Sequence, residues 1–118
     1  MVPLNGSPVY RLLMDSKQVA HILAELGNET RLSVFQLLVQ AGGQGLTVGE
    51  VQQSLGIPAS TLAFHLRSLS LVNLVEQVRH GRSVICKPRL DVLNKAVEFI
   101  QRECCKGVPA RRIARAAQ

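Results

Sequence analysis

No apolar run in this 118-residue chain approaches the roughly 18–20 residues that a membrane span requires. Met1 to Ser7 also lacks the basic-then-apolar order of a secretory leader. Both absences lead us to expect a cytoplasmic protein with no membrane partner. Cysteine is scarce: Cys86, Cys104 and Cys105 are the only three, two of them adjacent. Such a set cannot form the disulfide framework of a secreted domain and reads as reduced thiols. The chain also has no Cys-X-X-Cys motif, no phosphate-binding or nucleotide-binding loop and no acid/base constellation, so it is not expected to be an enzyme. Acidic residues are few, with 8 Asp and Glu against 14 Lys and Arg for a formal net charge of +6, which favours a polyanionic partner. With no internal repeat and 47% hydrophobic residues, the length supports one compact core.

The residues that are present concentrate their information between Leu46 and Leu69. Thr47 and Glu50 have the spacing of a capping box, and Gly56 suits a left-handed helix end, so Leu46–Gly56 reads as a short helix and its exit. Pro58 suits the entry to a second helix, in which Leu62, Leu66 and Leu69 recur at helical spacing as a buried stripe. Ser60, Thr61, Phe64, His65 and Arg67 are then left near or on the outward surface, with His65 read as a helix-packing or phosphate-bonding histidine rather than a metal ligand. Two short helices joined by Gly56-Ile57-Pro58 match a helix-turn-helix, with the second helix placed to read a DNA groove. Ser60 and Thr61 suit phosphates or base edges, Arg67 suits a guanine or a phosphate, and Ala59, Ala63 and Phe64 suit thymine methyl groups.

Upstream, Met1–Pro8 reads as a loose arm, helical periodicity begins about Tyr10–Asp15, and Val19, Ile22, Leu23 and Leu26 form a helix stopped by Gly27. Asn28 can cap a core helix carrying Leu32, Val34, Phe35, Leu37, Leu38 and Val39. Downstream, Leu74–Arg79 and Ser83–Lys87 are β-prone and flank His80-Gly81-Arg82, a hairpin whose tip would offer Arg79, His80 and Arg82 to phosphates or the minor groove. A last helix from Leu90 to about Lys106 is apolar on more than one face, which implies packing against a second protomer. The expected fold is mainly α with a β-hairpin wing: five helices and two strands in a dimeric winged helix-turn-helix. Its divisions are an arm at 1–14, a DNA-binding and dimerisation domain at 15–106, and a basic tail at 107–118 carrying Arg111, Arg112 and Arg115.

Gly27-Asn28-Glu29-Thr30-Arg31-Leu32, Phe35-Gln36-Leu37-Leu38, Ser60 through Leu69, Leu74-Val75 and His80-Gly81-Arg82 together resemble the ArsR/SmtB family of small dimeric bacterial repressors, over roughly Val19 to Lys106. The resemblance implies a homodimer joined through its first and last helices, bound to double-stranded operator DNA with an inverted repeat and released by an inducer. The family's two-thiol site in the first helix of the motif is absent, since Thr47 and Gly49 stand in its place. The zinc-type site on the last helix retains only Asp91, with no histidine after His80. Cys104-Cys105 resembles the pair of an arsenic-responsive subset, without the third cysteine a few residues on that some of its members carry.

Thiolate sulfur favours soft, thiophilic centres. Two thiols satisfy trivalent arsenic when its third substituent is carbon, as in methylarsenite or phenylarsenite, or a retained hydroxide. Cys86 would complete a three-sulfur site only if the end of the last helix approached the wing strand; otherwise it is a small buried residue. Arg102 and Lys106 favour thiolate at the pair, whereas a helix carboxyl end opposes it. The leading expectation is a repressor released by a trivalent arsenical, organoarsenicals favoured over arsenite. The alternatives are a thiol redox or persulfide-responsive repressor and, in another class, a winged-helix module for protein or RNA contact.

Overall fold

The structure is a computed structural model that describes residues 14–108. The arm at Met1–Pro8, the helical start at Tyr10–Leu13 and the arginines at 111, 112 and 115 lie outside the described residues. Among the described residues, five α-helices and a three-stranded sheet follow in the order α1 (Ser16–Leu26), α2 (Glu29–Ala41), a 3-10 turn (Gly42–Gln44), β1 (Leu46–Thr47), α3 (Val48–Leu55), α4 (Ala59–Leu71), β2 (Val75–His80), β3 (Ser83–Pro88) and α5 (Leu90–Gln101). This is the winged helix-turn-helix that the sequence leads one to expect.

Local chemistry sets most boundaries. Asp15 caps α1 in a reciprocal box with Gln18, so α1 begins at Ser16 and the expected helical character of Met14 and Asp15 is not found. Met14, assigned to the arm from the sequence, is buried in the core. The Asn28 side chain accepts from the Arg31 backbone N–H at 3.0 Å and opens α2. Thr47 and Glu50 form the capping box of α3, and Gly56 closes that helix at φ 66°, ψ 32°, a conformation that costs glycine no Cβ clash.

The core centres on α2, which packs on α1, α4 and β3, while α1 also packs on α5. Val34 and Leu38 of α2, Leu62, Leu66 and Leu69 of α4, Val51, Leu74 and Cys86 are all but sealed from solvent. Burial stabilises each large aliphatic side chain by about 1.5–3 kcal/mol, so the α4 leucine stripe suffices to fix which face of that helix turns outward.

The sheet adds one feature to the expected hairpin. β1 pairs antiparallel with β3 (Leu46 with Cys86, Thr47 with Ile85), giving the strand order β1-β3-β2 and joining the start of the helix-turn-helix to the wing. The β2–β3 register runs from Val75 opposite Pro88 to His80 opposite Ser83, with Gly81 and Arg82 at the tip.

The last helix is shorter than expected. α5 ends at Gln101 rather than near Lys106, and residues 102–105 form turns in which the Cys104 N–H reaches the Gln101 carbonyl at 2.9 Å. The apolar periodicity stops at Ile100, and every residue from 101 to 108 is exposed, so no packing offsets the entropy of extending the helix.

Candidate nucleic-acid interface and thiol site

Burial of Leu62, Leu66 and Leu69 leaves Ser60, Thr61, Ala63, Phe64 and Arg67 exposed along α4. Arg79, His80 and Arg82 are likewise exposed at the wing tip. All eight are open to solvent. The wing root is tied to α4 by Gln77 Nε2, which donates to Ser70 Oγ at 3.1 Å, and by the Leu74 N–H, which donates to the Leu69 carbonyl at 3.0 Å. The hairpin is therefore held against the carboxyl end of α4, and neither bond was foreseen from the sequence.

His65 lies inward of the outward surface of α4, in the helix-packing place that was one of its two expected readings. It is buried, with 7% of its surface exposed. The Arg31 guanidinium of α2 reaches it: Nε donates to His65 Nδ1 at 3.3 Å, while Nη1 pairs with the Glu25 carboxylate of α1. Burial, and then the Arg31 charge, hold the imidazole pKa below its ordinary 6.5. A neutral ring suits the geometry, because Nδ1 must keep its lone pair to accept from Arg31. The sequence did carry a signal, since position 65 lies three residues after Leu62 and four before Leu69, on the edge of the buried stripe.

Past the end of α5, Cys104 Sγ and Cys105 Sγ stand 2.8 Å apart on an exposed turn, with Cys105 in the left-handed region at φ 66°. The contact with Cys105, and secondarily desolvation, raise the Cys104 pKa above 9.0. The flanking cations are engaged elsewhere: Lys106 Nζ pairs with Glu103 at 3.3 Å, and the Arg102 guanidinium lies 4.5 Å from the Phe99 ring centroid. Cys86 is buried within β3, and its thiol is pushed up to about 11 by desolvation. No group of three or more His, Cys, Asp or Glu side chains able to hold a metal ion forms among the described residues, so Cys86 is not brought to the pair within the subunit.

A helix-turn-helix domain model matches residues 26–78. No curated protein matches the chain in sequence. Solved structures do. An ArsR-like transcriptional regulator from Rhodococcus sp. RHA1 is 26% identical, covering 85% of this chain and 90% of its own, with a TM-score of 0.68. The homodimeric winged helix-turn-helix DNA-binding domain of a possible ArsR-family regulator from Mycobacterium bovis is 27% identical over 75% of this chain and 82% of its own, with a TM-score of 0.60. The transcriptional repressor BigR from Xylella fastidiosa is 25% identical over 72% and 86%, with a TM-score of 0.58. The chain has the winged helix-turn-helix fold and is similar to ArsR-like transcriptional regulators.

The segment matched by the domain model ends at residue 78 and leaves out the wing tip, α5 and both exposed thiols. The helix-turn-helix is thus what the chain shares with that model, and the cysteine pair must be judged on its own chemistry.

Proposed function

We propose that the chain is a homodimeric repressor that binds inverted-repeat operator DNA and is released when a trivalent arsenical joins Cys104 and Cys105, organoarsenicals being favoured over arsenite. The observation that carries this reading is the pair of exposed sulfurs 2.8 Å apart, two soft donors aimed at one point. An arsenical carrying one carbon and two hydroxyls condenses with both thiols, and the two S–H protons leave with the two hydroxides as water. With Cys86 buried, the third arsenic substituent comes from the ligand, which is why an organic group suits the site.

Dimerisation is supported by Leu23 on α1 and Leu90, Val97 and Ile100 on α5, large apolar side chains left exposed on two helices that pack together, and by the homodimeric state of the Mycobacterium bovis domain. Two α4 helices must then engage half-sites about 34–36 Å apart, so a change at α5 that alters their separation costs avidity.

The test is fluorescence anisotropy with a duplex selected by the protein from a randomised pool, titrated under reducing conditions with phenylarsenite and with arsenite. Phenylarsenite should release DNA from the wild type and from Cys86→Ser, but not from Cys104→Ser or Cys105→Ser. Release that survives loss of the pair would overturn the assignment. The short sulfur contact also supports a redox reading, in which hydrogen peroxide takes two electrons and two protons from the pair to give a disulfide and water. Release by peroxide with no response to arsenicals would establish that reading instead.

A further inference from the structure

Arg31 lies in α2, outside the helix-turn-helix, yet its guanidinium meets three partners on two other helices. Nη1 pairs with Glu25 of α1, Nε donates to His65 of α4 at 3.3 Å, and the guanidinium carbon lies 5.8 Å from the centroid of the Phe64 ring. His65 in turn meets Phe64 edge-on, with ring centroids 5.5 Å apart and planes at 65°. Phe64 itself remains 53% exposed on the surface that faces outward from α4. A surface phenylalanine ordinarily samples several rotamers. Here a planar cation near its ring and an imidazole at its edge restrict that freedom. The cation is fixed by a carboxylate and a ring nitrogen.

We propose that Arg31 is a positioning residue for DNA reading: pinned between Glu25 and His65, it holds the Phe64 ring at the surface of α4 to meet a thymine methyl group. The proposal rests on the reading that α4 enters the major groove. There the thymine C5-methyl is the apolar mark an aromatic side chain can recognise. Arg31 touches no base in this scheme. It acts on sequence preference through Phe64, and it links that preference to α1, one of the helices that carry the dimer face.

The test uses full-length protein and the duplex it selects from a randomised pool, with each thymine replaced in turn by deoxyuridine, which lacks only the methyl group. At one position per half-site, wild-type affinity should fall about four-fold, the equivalent of one methyl contact at about 0.8 kcal/mol. Phe64→Leu should weaken that penalty, and Arg31→Met should weaken it to the same degree, with the double variant no different from either. His65→Asn, whose side-chain oxygen can accept from Arg31, should retain it, whereas His65→Leu should not. Binding to an unrelated duplex of equal length should stay within about two-fold throughout, because non-specific affinity comes from phosphate contacts.

A full deoxyuridine penalty in Arg31→Met, an equal loss of specific and non-specific binding, or no penalty at any thymine in the wild type would each overturn the proposal. Failure of the wild type to enrich any duplex would overturn the DNA-reading role beneath it, a distinct result.

Discussion

Gly45 joins the 3-10 turn to β1, and replacing it with alanine separates two costs that usually come together. Its backbone sits at φ 75°, ψ −176°, and Gly42 nearby sits at φ 82°, ψ −161°, so both occupy a region essentially reserved for glycine. The surroundings differ. A Cβ on Gly42 would meet nothing within 4 Å, whereas one on Gly45 would lie 2.5 Å from the Cys86 carbonyl oxygen, 2.8 Å from Lys87 Cγ and 2.9 Å from Ile85 Cγ2. Gly42→Ala therefore reports backbone strain alone, about 1–3 kcal/mol. Gly45→Ala adds overpacking against the backbone of β3, a further cost of about 1–3 kcal/mol. In a domain of this size each kcal/mol moves the melting temperature by about 4–8 °C, so Gly45→Ala should melt at least about 4 °C below Gly42→Ala. Since β1 is bonded to the wing strand, it should also weaken operator binding at temperatures where both variants are folded. Equal melting temperatures in a thermal scan would refute the close approach of β1 to β3.

Three further outcomes follow from the site geometry. At pH 8 a maleimide should label Cys104 and Cys105 in the native protein and Cys86 only after denaturation, because burial and a pKa of about 11, against an ordinary 9.0, cut its thiolate fraction about a hundred-fold; native labelling of all three would contradict the sealed strand. His65 has a folded pKa below its unfolded 6.5, so the stability it contributes is complete above about pH 6.5 and is lost as pH falls toward the folded value. Denaturant midpoints should fall over that range in the wild type and fall less in His65→Asn, and parallel slopes would show that the ring is not held neutral. If each protomer neutralises about four phosphates, log affinity should fall with log salt at a slope near −7, and Arg79→Ala with Arg82→Ala should reduce it to roughly −4; an unchanged slope would take the wing off the DNA.

What could be read in advance was what neighbours in sequence decide. Asn28, the Thr47–Glu50 pair, Gly56 and the 62-66-69 stripe all act within one or two helical turns, and each stands where its chemistry requires. The features that escaped depend on distant partners. β1 is two residues long and exists because β3 lies beside it. The partner of His65 is Arg31, 34 residues earlier, whose Nε donates to its ring. The early end of α5 is a failure of packing rather than a stop signal, and Cys104 and Cys105 consequently stand in a turn where a continuous helix was expected.

That last difference changes how the proposed ligand capture would act. On a regular helix adjacent cysteines point about 100° apart, and drawing them onto one centre would itself unwind the last turn. Here the sulfurs already face each other at 2.8 Å, so capture costs little. A ligand shifts an equilibrium only by its differential affinity for the two states. On the proposed arsenical reading, the lever would therefore be the spreading of the two sulfurs on arsenic binding, carried by the 102–105 turns into Ile100 and Val97 on the exposed face of α5. Two glycines inserted between Gln101 and Arg102 would break that lever while leaving the thiol turn intact. The insertion variant should still lose two titratable thiols on adding one equivalent of phenylarsenite, yet keep its DNA in the anisotropy assay. Undiminished release would mean that the signal reaches α4 by a route that does not pass through α5.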